Sequence, residues 1–226
     1  MSDPKKRAVT FVHTSAAAIS PLMQFYGQQA RELEITNLLD DGVMRYFSLG
    51  EESLAQSRFE ELISTATHTY HAELIMLTCS TVSKQLMGEL RRRTSVTLLK
   101  IDEPMARKAI GAGSKVGVVV TFSPTVEPTR ALLLETAKEL GKTIELKFEV
   151  LPAAYDALLA GDHAKHDQVL IDGVERLVRE KVDAIVLAQV SMARVQPLLE
   201  TRFQKPIFSS LSTSLDAIRN LLERST

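Results

Sequence analysis

Leu74-Ile75-Met76-Leu77-Thr78-Cys79-Ser80-Thr81 reads as a short apolar strand that breaks into a small polar loop. Sliding the chain by 110 residues sets Leu77-Thr78-Cys79-Ser80-Thr81 on Leu187-Ala188-Gln189-Val190-Ser191, and the same shift sets His13-Thr14-Ser15 on Ser123-Pro124-Thr125. In each case an apolar strand ends in a polar loop leading into a helix. One offset serving both pairs predicts an internal duplication.

Working outward, short apolar runs recur at residues 8–12, 34–38, 74–78, 97–100, 116–121, 144–150, 184–188 and 206–209. Amphipathic stretches of helical length separate most of them, as at 51–70, 125–140, 163–181 and 211–224. Gly141 is placed to end the second of these helices. Alternating strands and helices predict an α/β fold: two pseudo-symmetric, doubly wound lobes, each with a mostly parallel four-stranded sheet covered on both faces. The expected lobes are residues 1–101 plus 209–226, the terminal helix packing back on the first half, and residues 102–208. Ligands of such sheets bind beyond the carboxyl ends of the strands, so the four polar loops are expected to line a cleft between the lobes.

The hydrophobic fraction of 45%, the charged fraction of 24% and the net charge of −1 describe an ordinary globular protein. Nucleic acid is an unexpected partner, because the densest basic cluster, Arg91-Arg92-Arg93, has Glu89 and Glu103 nearby and reads as a solvated helix end. No apolar run reaches the length of a signal h-region or a membrane span. With one cysteine there is no intramolecular disulfide, and the reducing cytoplasm is the expected location. A homodimer is the common default for soluble α/β enzymes.

Cys79 is the only thiol. A lone cysteine is commonly a small buried hydrophobe, whereas a thiol between a strand's carboxyl end and a helix start suits acid–base chemistry. Thr14, Ser15, Ser80, Thr81, Thr121, Ser123 and Thr125 supply hydroxyls that either cap helices or, with neighbouring N–H groups, cradle a carboxylate. His13 is either a loop hydrogen-bond partner for substrate or structural. The glycine-rich run from Gly111 to Gly117 precedes a strand, where a dinucleotide fingerprint follows one, so no nucleotide cofactor is expected. The His68/His71 and His163/His166 pairs lack a third ligand and read as hydrated helix surface, with no metal expected. Phe11, Phe122 and Tyr155 are read as core or as an apolar wall of the pocket.

Taken together these residues resemble the aspartate/glutamate/hydantoin racemase superfamily over nearly the whole chain. The resemblance rests on Leu77–Thr81, Ile101-Asp102-Glu103-Pro104, the run from Lys115 to Thr121 leading to Thr125, and the run from Asp183 to Gln189. It implies two pseudo-symmetric lobes and cofactor-independent proton transfer by two cysteines flanking a substrate carbon. Cys79 matches the first cysteine and Gln189 stands at the second, where a carboxamide exchanges no proton. The implied activity is that of a racemase-like isomerase on a small carboxylate, with Cys79 as sole acid/base through an enolate-like intermediate. Gln189, Ser191, His13 and the hydroxyl loops would hold the substrate. The alternatives are a decarboxylase or lyase, a thiol hydrolase with His13 as base, and a non-catalytic carboxylate-binding protein.

Overall fold

A computed structural model describes residues 6–224. Their strands are β1 (Arg7–His13), β2 (Leu33–Leu39), β3 (Leu74–Leu77), β4 (Thr97–Lys100), β5 (Lys115–Val120), β6 (Glu145–Val150), β7 (Ala184–Leu187) and β8 (Ile207–Ser209). All eight expected strands are present. They form two four-stranded sheets, ordered β2-β1-β3-β4 and β6-β5-β7-β8, with every pairing parallel. The interior strands β3 and β7 are buried at every position, which is why they read as unbroken apolar runs. The edge strand β6 carries Glu145, Lys147 and Glu149, and such charges discourage pairing with another chain.

The helices are α1 (Ile19–Gln29), α2 (Val43–Ser48), α3 (Glu52–His68), α4 (Lys84–Arg92), α5 (Glu103–Ala112), α6 (Val126–Glu139), α7 (Pro152–Leu159), α8 (His163–Arg179), α9 (Gln196–Phe203) and α10 (Ser210–Glu223). The internal repeat is visible in the crossovers. A short helix and then one of 17 residues lead from β2 to β3, and the same order, α7 then α8, leads from β6 to β7. None of the described helices is long and apolar enough to cross a membrane.

The chain divides into two compact units, one comprising residues up to Ile101 together with those from Leu215 onward, the other Asp102–Ser214. This boundary falls inside α10, where the sequence reading set it at 209. In the first unit Val12, Phe59, Ile63, Ile75, Leu77 and Met87 form the core. The later part of α10 is held there by Arg219, which donates to the Glu32 carboxylate and the Gln29 carbonyl. In the second unit one core gathers around α8 (Leu170, Val174, Leu177) and another around α5 and α6 (Met105, Ile110, Leu133).

Strand registers correct the offset of the repeat. Leu74 of β3 pairs with Val9 and Ala184 of β7 pairs with Val116, so β3 and β7 are 110 residues apart but β1 and β5 are 107. His13 therefore corresponds to Val120 and Thr14 to Thr121. Three residues of difference between the crossovers account for the mismatch, which a self-comparison without gaps cannot absorb.

Two glycines have structural causes. Gly141, at φ +63°, ends α6, with its own N–H on the Lys138 carbonyl and the Lys142 N–H on Ala137. Gly113 lies where the Asp183 carboxylate accepts the N–H groups of Ser114 (2.9 Å) and Lys115 (2.8 Å), and a Cβ there would stand 2.2 Å from the Asp183 Cβ. The glycine-rich run thus admits a carboxylate from the chain itself. Those two backbone bonds hold the Asp183 carboxyl below its ordinary value.

Candidate active site

In each sheet the first strand lies between the second and third, so successive crossovers leave β1 in opposite directions and open a crevice beyond the carboxyl ends of β1 and β3. At that switch point the first unit carries an open pocket of about 540 Å³. Residues 14–17 after β1, Asp41 and Met44 after β2, and residues 78–81 after β3 line it.

Cys79 is 4% exposed: its surroundings include Val43, Val82 and Leu86 of the core, yet it reaches the pocket. Its Sγ lies 4.0 Å from the Met44 thioether, a soft contact with little polarity. The expected helix start is displaced. Residues 80–82 form a turn, and α4 begins only at Lys84, where the Ser83 hydroxyl accepts the Leu86 N–H. Ser83 is therefore the cap of α4, and the helix begins five residues after Cys79.

Around Cys79 the donors are open. Thr14 is 6% exposed, and neither its N–H nor its hydroxyl has a partner among the described residues. The hydroxyls of Ser80 and Thr81 are likewise unpartnered there, while Lys100, buried at the end of β4, fixes the Ser80 carbonyl through Nζ at 3.2 Å. The Ser15 hydroxyl caps the 3-10 turn Ala16–Ala18 by accepting the Ala17 N–H.

His13 is fully buried and outside the lining. One neutral tautomer satisfies both contacts: Nε2–H donates to Asn37 Oδ1 at 2.9 Å, and Nδ1 accepts the Thr78 hydroxyl at 2.8 Å. Both ring nitrogens are thus engaged, neither with Cys79, so the arrangement lacks the thiol–imidazole pair that a hydrolase would need. The histidine instead orients the backbone just before Cys79. Burial lowers the His13 pKa below 6.5, against the Asn37 bond that raises it. The unfolded chain therefore binds the proton first, and the stability from neutral His13 is lost as pH falls below 6.5. We expect the stability difference between wild type and His13→Gln to narrow as pH is lowered from 7.5 to 5.5, read by denaturant titration. A difference independent of pH would contradict this.

The corresponding loops of the second unit are arranged otherwise. The Gln189 Oε1 accepts the Thr121 N–H at 3.0 Å, its Nε2 donates to the Thr125 hydroxyl at 2.6 Å, and that hydroxyl donates to the Phe122 carbonyl at 2.7 Å. The carboxamide expected to hold substrate is tied to the neighbouring loop after β5. Ser123 and Thr125 bound a 3-10 turn before α6, and Ser191 lies half-buried in the turn Val190–Val195. Phe11 is core, whereas Phe122 is exposed and packs its ring 5.1 Å from Tyr155.

The family model for Asp/Glu/hydantoin racemases matches residues 18–218. The chain belongs to the Asp/Glu/hydantoin racemase family. Within this racemase family the glutamate racemase of Vibrio parahaemolyticus is 22% identical over 215 residues, covering 93% of this chain and 75% of that protein. The allantoin racemase of Pseudomonas fluorescens has the same fold at a TM-score of 0.71 and 16% identity, over 97% of this chain and 92% of its own. An aspartate racemase homologue from Pyrococcus horikoshii superposes at 0.72 with 13% identity, over 96% and 99%.

Asp41, Met44, Asn37 and Lys100 were missed in the sequence. The signal was available for the first two: the rule placing ligands beyond strand carboxyl ends applies to β2 as it does to β1 and β3. His166 corrects a second reading. It is fully buried, with Nδ1 2.9 Å from the Asp167 carboxylate, which also receives Arg194 at 2.5 Å. This half of the His163/His166 pair is a packed element joining α8 to the Val190–Val195 turn, where hydrated surface had been expected.

Proposed function

We propose that this chain is a cofactor-independent, racemase-like isomerase of a small carboxylate, in which Cys79 is the acid/base. The Cys79 thiolate removes the proton from the carbon next to the carboxylate. The C–H electron pair moves into the carboxylate as an enolate-like intermediate, water then protonates the same carbon from the opposite face, which inverts it, and the thiol gives its proton to solvent to restore the thiolate. The observation that carries this reading is the only thiol of the chain lining a pocket whose donors, the Thr14 N–H and the Thr14, Ser80 and Thr81 hydroxyls, have no partners of their own. Such donors would bind the carboxylate and stabilise charge as it develops.

Position 189, where the family resemblance expects the second cysteine, supports a one-thiol reaction. The Gln189 carboxamide is neither an acid nor a base near neutral pH, and it holds Thr121 and Thr125. A conventional two-thiol exchange is therefore not part of the proposal.

Because Cys79 is the only cysteine, the mass of the intact protein reads its alkylation alone. We expect a saturating small carboxylate to slow modification of Cys79 by iodoacetamide about tenfold or more, since at roughly ten times its Kd a ligand leaves only about a tenth of the pockets free. If every mono- and dicarboxylate in a broad panel leaves the rate unchanged, the pocket is not a carboxylate site.

A further inference from the structure

The lining of the Cys79 pocket has an asymmetry of charge. Apart from the Cys79 sulfur, its side chains offer neutral hydroxyl, thioether and methyl groups, and Asp41 is the one carboxylate among the described residues that line it. No lysine or arginine contributes. Lys100, behind the loop, is buried and directs its ammonium at the Ser80 carbonyl, outside the lining.

Asp41 also differs from its neighbour. Asp40 is held by Arg58 at 2.7 Å and by the Gly42 N–H at 3.1 Å, and Arg58 turns its other nitrogen to Glu61. Asp41 has no ion pair or side-chain hydrogen bond among the described residues. It is an uncompensated carboxylate on the rim of a pocket that otherwise offers hydrogen-bond donors. A substrate bearing one carboxylate finds those donors at residues 14 and 80–81, but a second carboxylate meets Asp41 with no countercharge in the lining. A cationic or strongly N–H-donating group meets a free acceptor there.

We propose that Asp41 is the specificity-determining residue of the pocket, excluding dicarboxylates and selecting monocarboxylates that carry a cationic group. The inference rests on the reading of this pocket as a carboxylate site. It adds a sign of charge that neither the fold nor the reaction type implies. Aspartate and glutamate, with net negative charge, are poor ligands on this reading, whereas amino acids with an uncharged side chain (neutral zwitterions) or a basic one (net cations) are good ones.

The single thiol gives a test that needs no known substrate. Cys79 in the full-length protein is modified with two methanethiosulfonates of similar size, one carrying a trimethylammonium group and one a sulfonate, and the ratio of their rates is corrected by the ratio for a free thiol. In wild type we expect the cation to be favoured. In Asp41→Asn the corrected ratio should fall by about five- to tenfold, the size expected for unit charges several ångströms apart in a solvated pocket. Asp41→Glu keeps the charge and should preserve the preference. The same samples report protection by glycine, alanine, lysine, succinate and glutarate. Wild type should be protected by the zwitterions and not by the dicarboxylates, and Asp41→Asn should gain protection by the latter. A ratio unchanged in Asp41→Asn, with carboxylates still protecting, overturns the role of Asp41 and leaves the carboxylate site intact. Failure of any carboxylate to protect either protein instead overturns the reading on which the inference rests. A thermal unfolding midpoint shared by the three proteins shows that the rates compare equally folded pockets.

Discussion

Replacing Cys79 by alanine should lower turnover of a carboxylate substrate about a thousandfold, with little change in its affinity. The magnitude is that of removing a positioned general acid/base, ~10²–10⁴. Affinity is retained because the groups assigned to the carboxylate are the Thr14 N–H and the hydroxyls of Thr14, Ser80 and Thr81, and none of these depends on the sulfur. Cys79→Ser should be nearly as inactive, since a hydroxyl is a far weaker acid than a thiol and gives up its proton reluctantly at neutral pH. The structural cost is small by comparison. Cys79 packs against Met44 and the core near Val43 and Val82, and deleting one sulfur leaves a void costing about 1 kcal/mol. Steady-state kinetics and ligand titration on the alanine variant check both halves, and a variant retaining a tenth of the activity would remove Cys79 from the chemistry.

The second large effect is on stability. Gly113→Ala should destabilise the second unit by about 3 kcal/mol, the upper part of the usual range for overpacking. The backbone at Gly113 is extended (φ 174°), a conformation alanine adopts readily, so the cost is steric. The added Cβ would stand 2.2 Å from the Asp183 Cβ and 2.6 Å from its Oδ2. Asp183 is held by the N–H groups of Ser114 and Lys115 and begins the approach to β7, so it yields only by giving up those bonds. Gly111→Ala, with open space around its added Cβ on α5, is the control and should be neutral or mildly stabilising. Equal unfolding midpoints for the two variants in urea would contradict the steric account.

The strands were legible because parallel strands buried on both faces write themselves as unbroken apolar runs, as in Leu74–Leu77 and Ala184–Leu187. The repeat was legible for the same reason, although its gap was not. What failed involved choices between equivalent polar residues. Ser80, Thr81 and Ser83 are all competent helix caps, and only the turn at residues 80–82 decides that Ser83 is the one used. His166 looked like surface because it stands among polar neighbours, yet 0% of it is exposed and its Nδ1 lies 2.9 Å from the Asp167 carboxylate. Gln189 was recognised as the residue opposite Cys79 in the repeat, but a sequence carries no sign that its amide reaches back to Thr121 and Thr125. Asp41 went unnoticed beside the better-connected Asp40.

Proton transfer at Cys79 is the central claim, and exchange of substrate hydrogen with solvent tests it most directly. The protein is incubated in deuterium oxide with each carboxylate that protects Cys79 from alkylation, and the signal of the hydrogen next to the carboxylate is followed by proton NMR. The account predicts that this signal decays with wild type, that deuterium appears at that carbon and at no other, and that Cys79→Ala abolishes the exchange. Retention of the signal with every protecting carboxylate, or exchange that persists in Cys79→Ala, would contradict it.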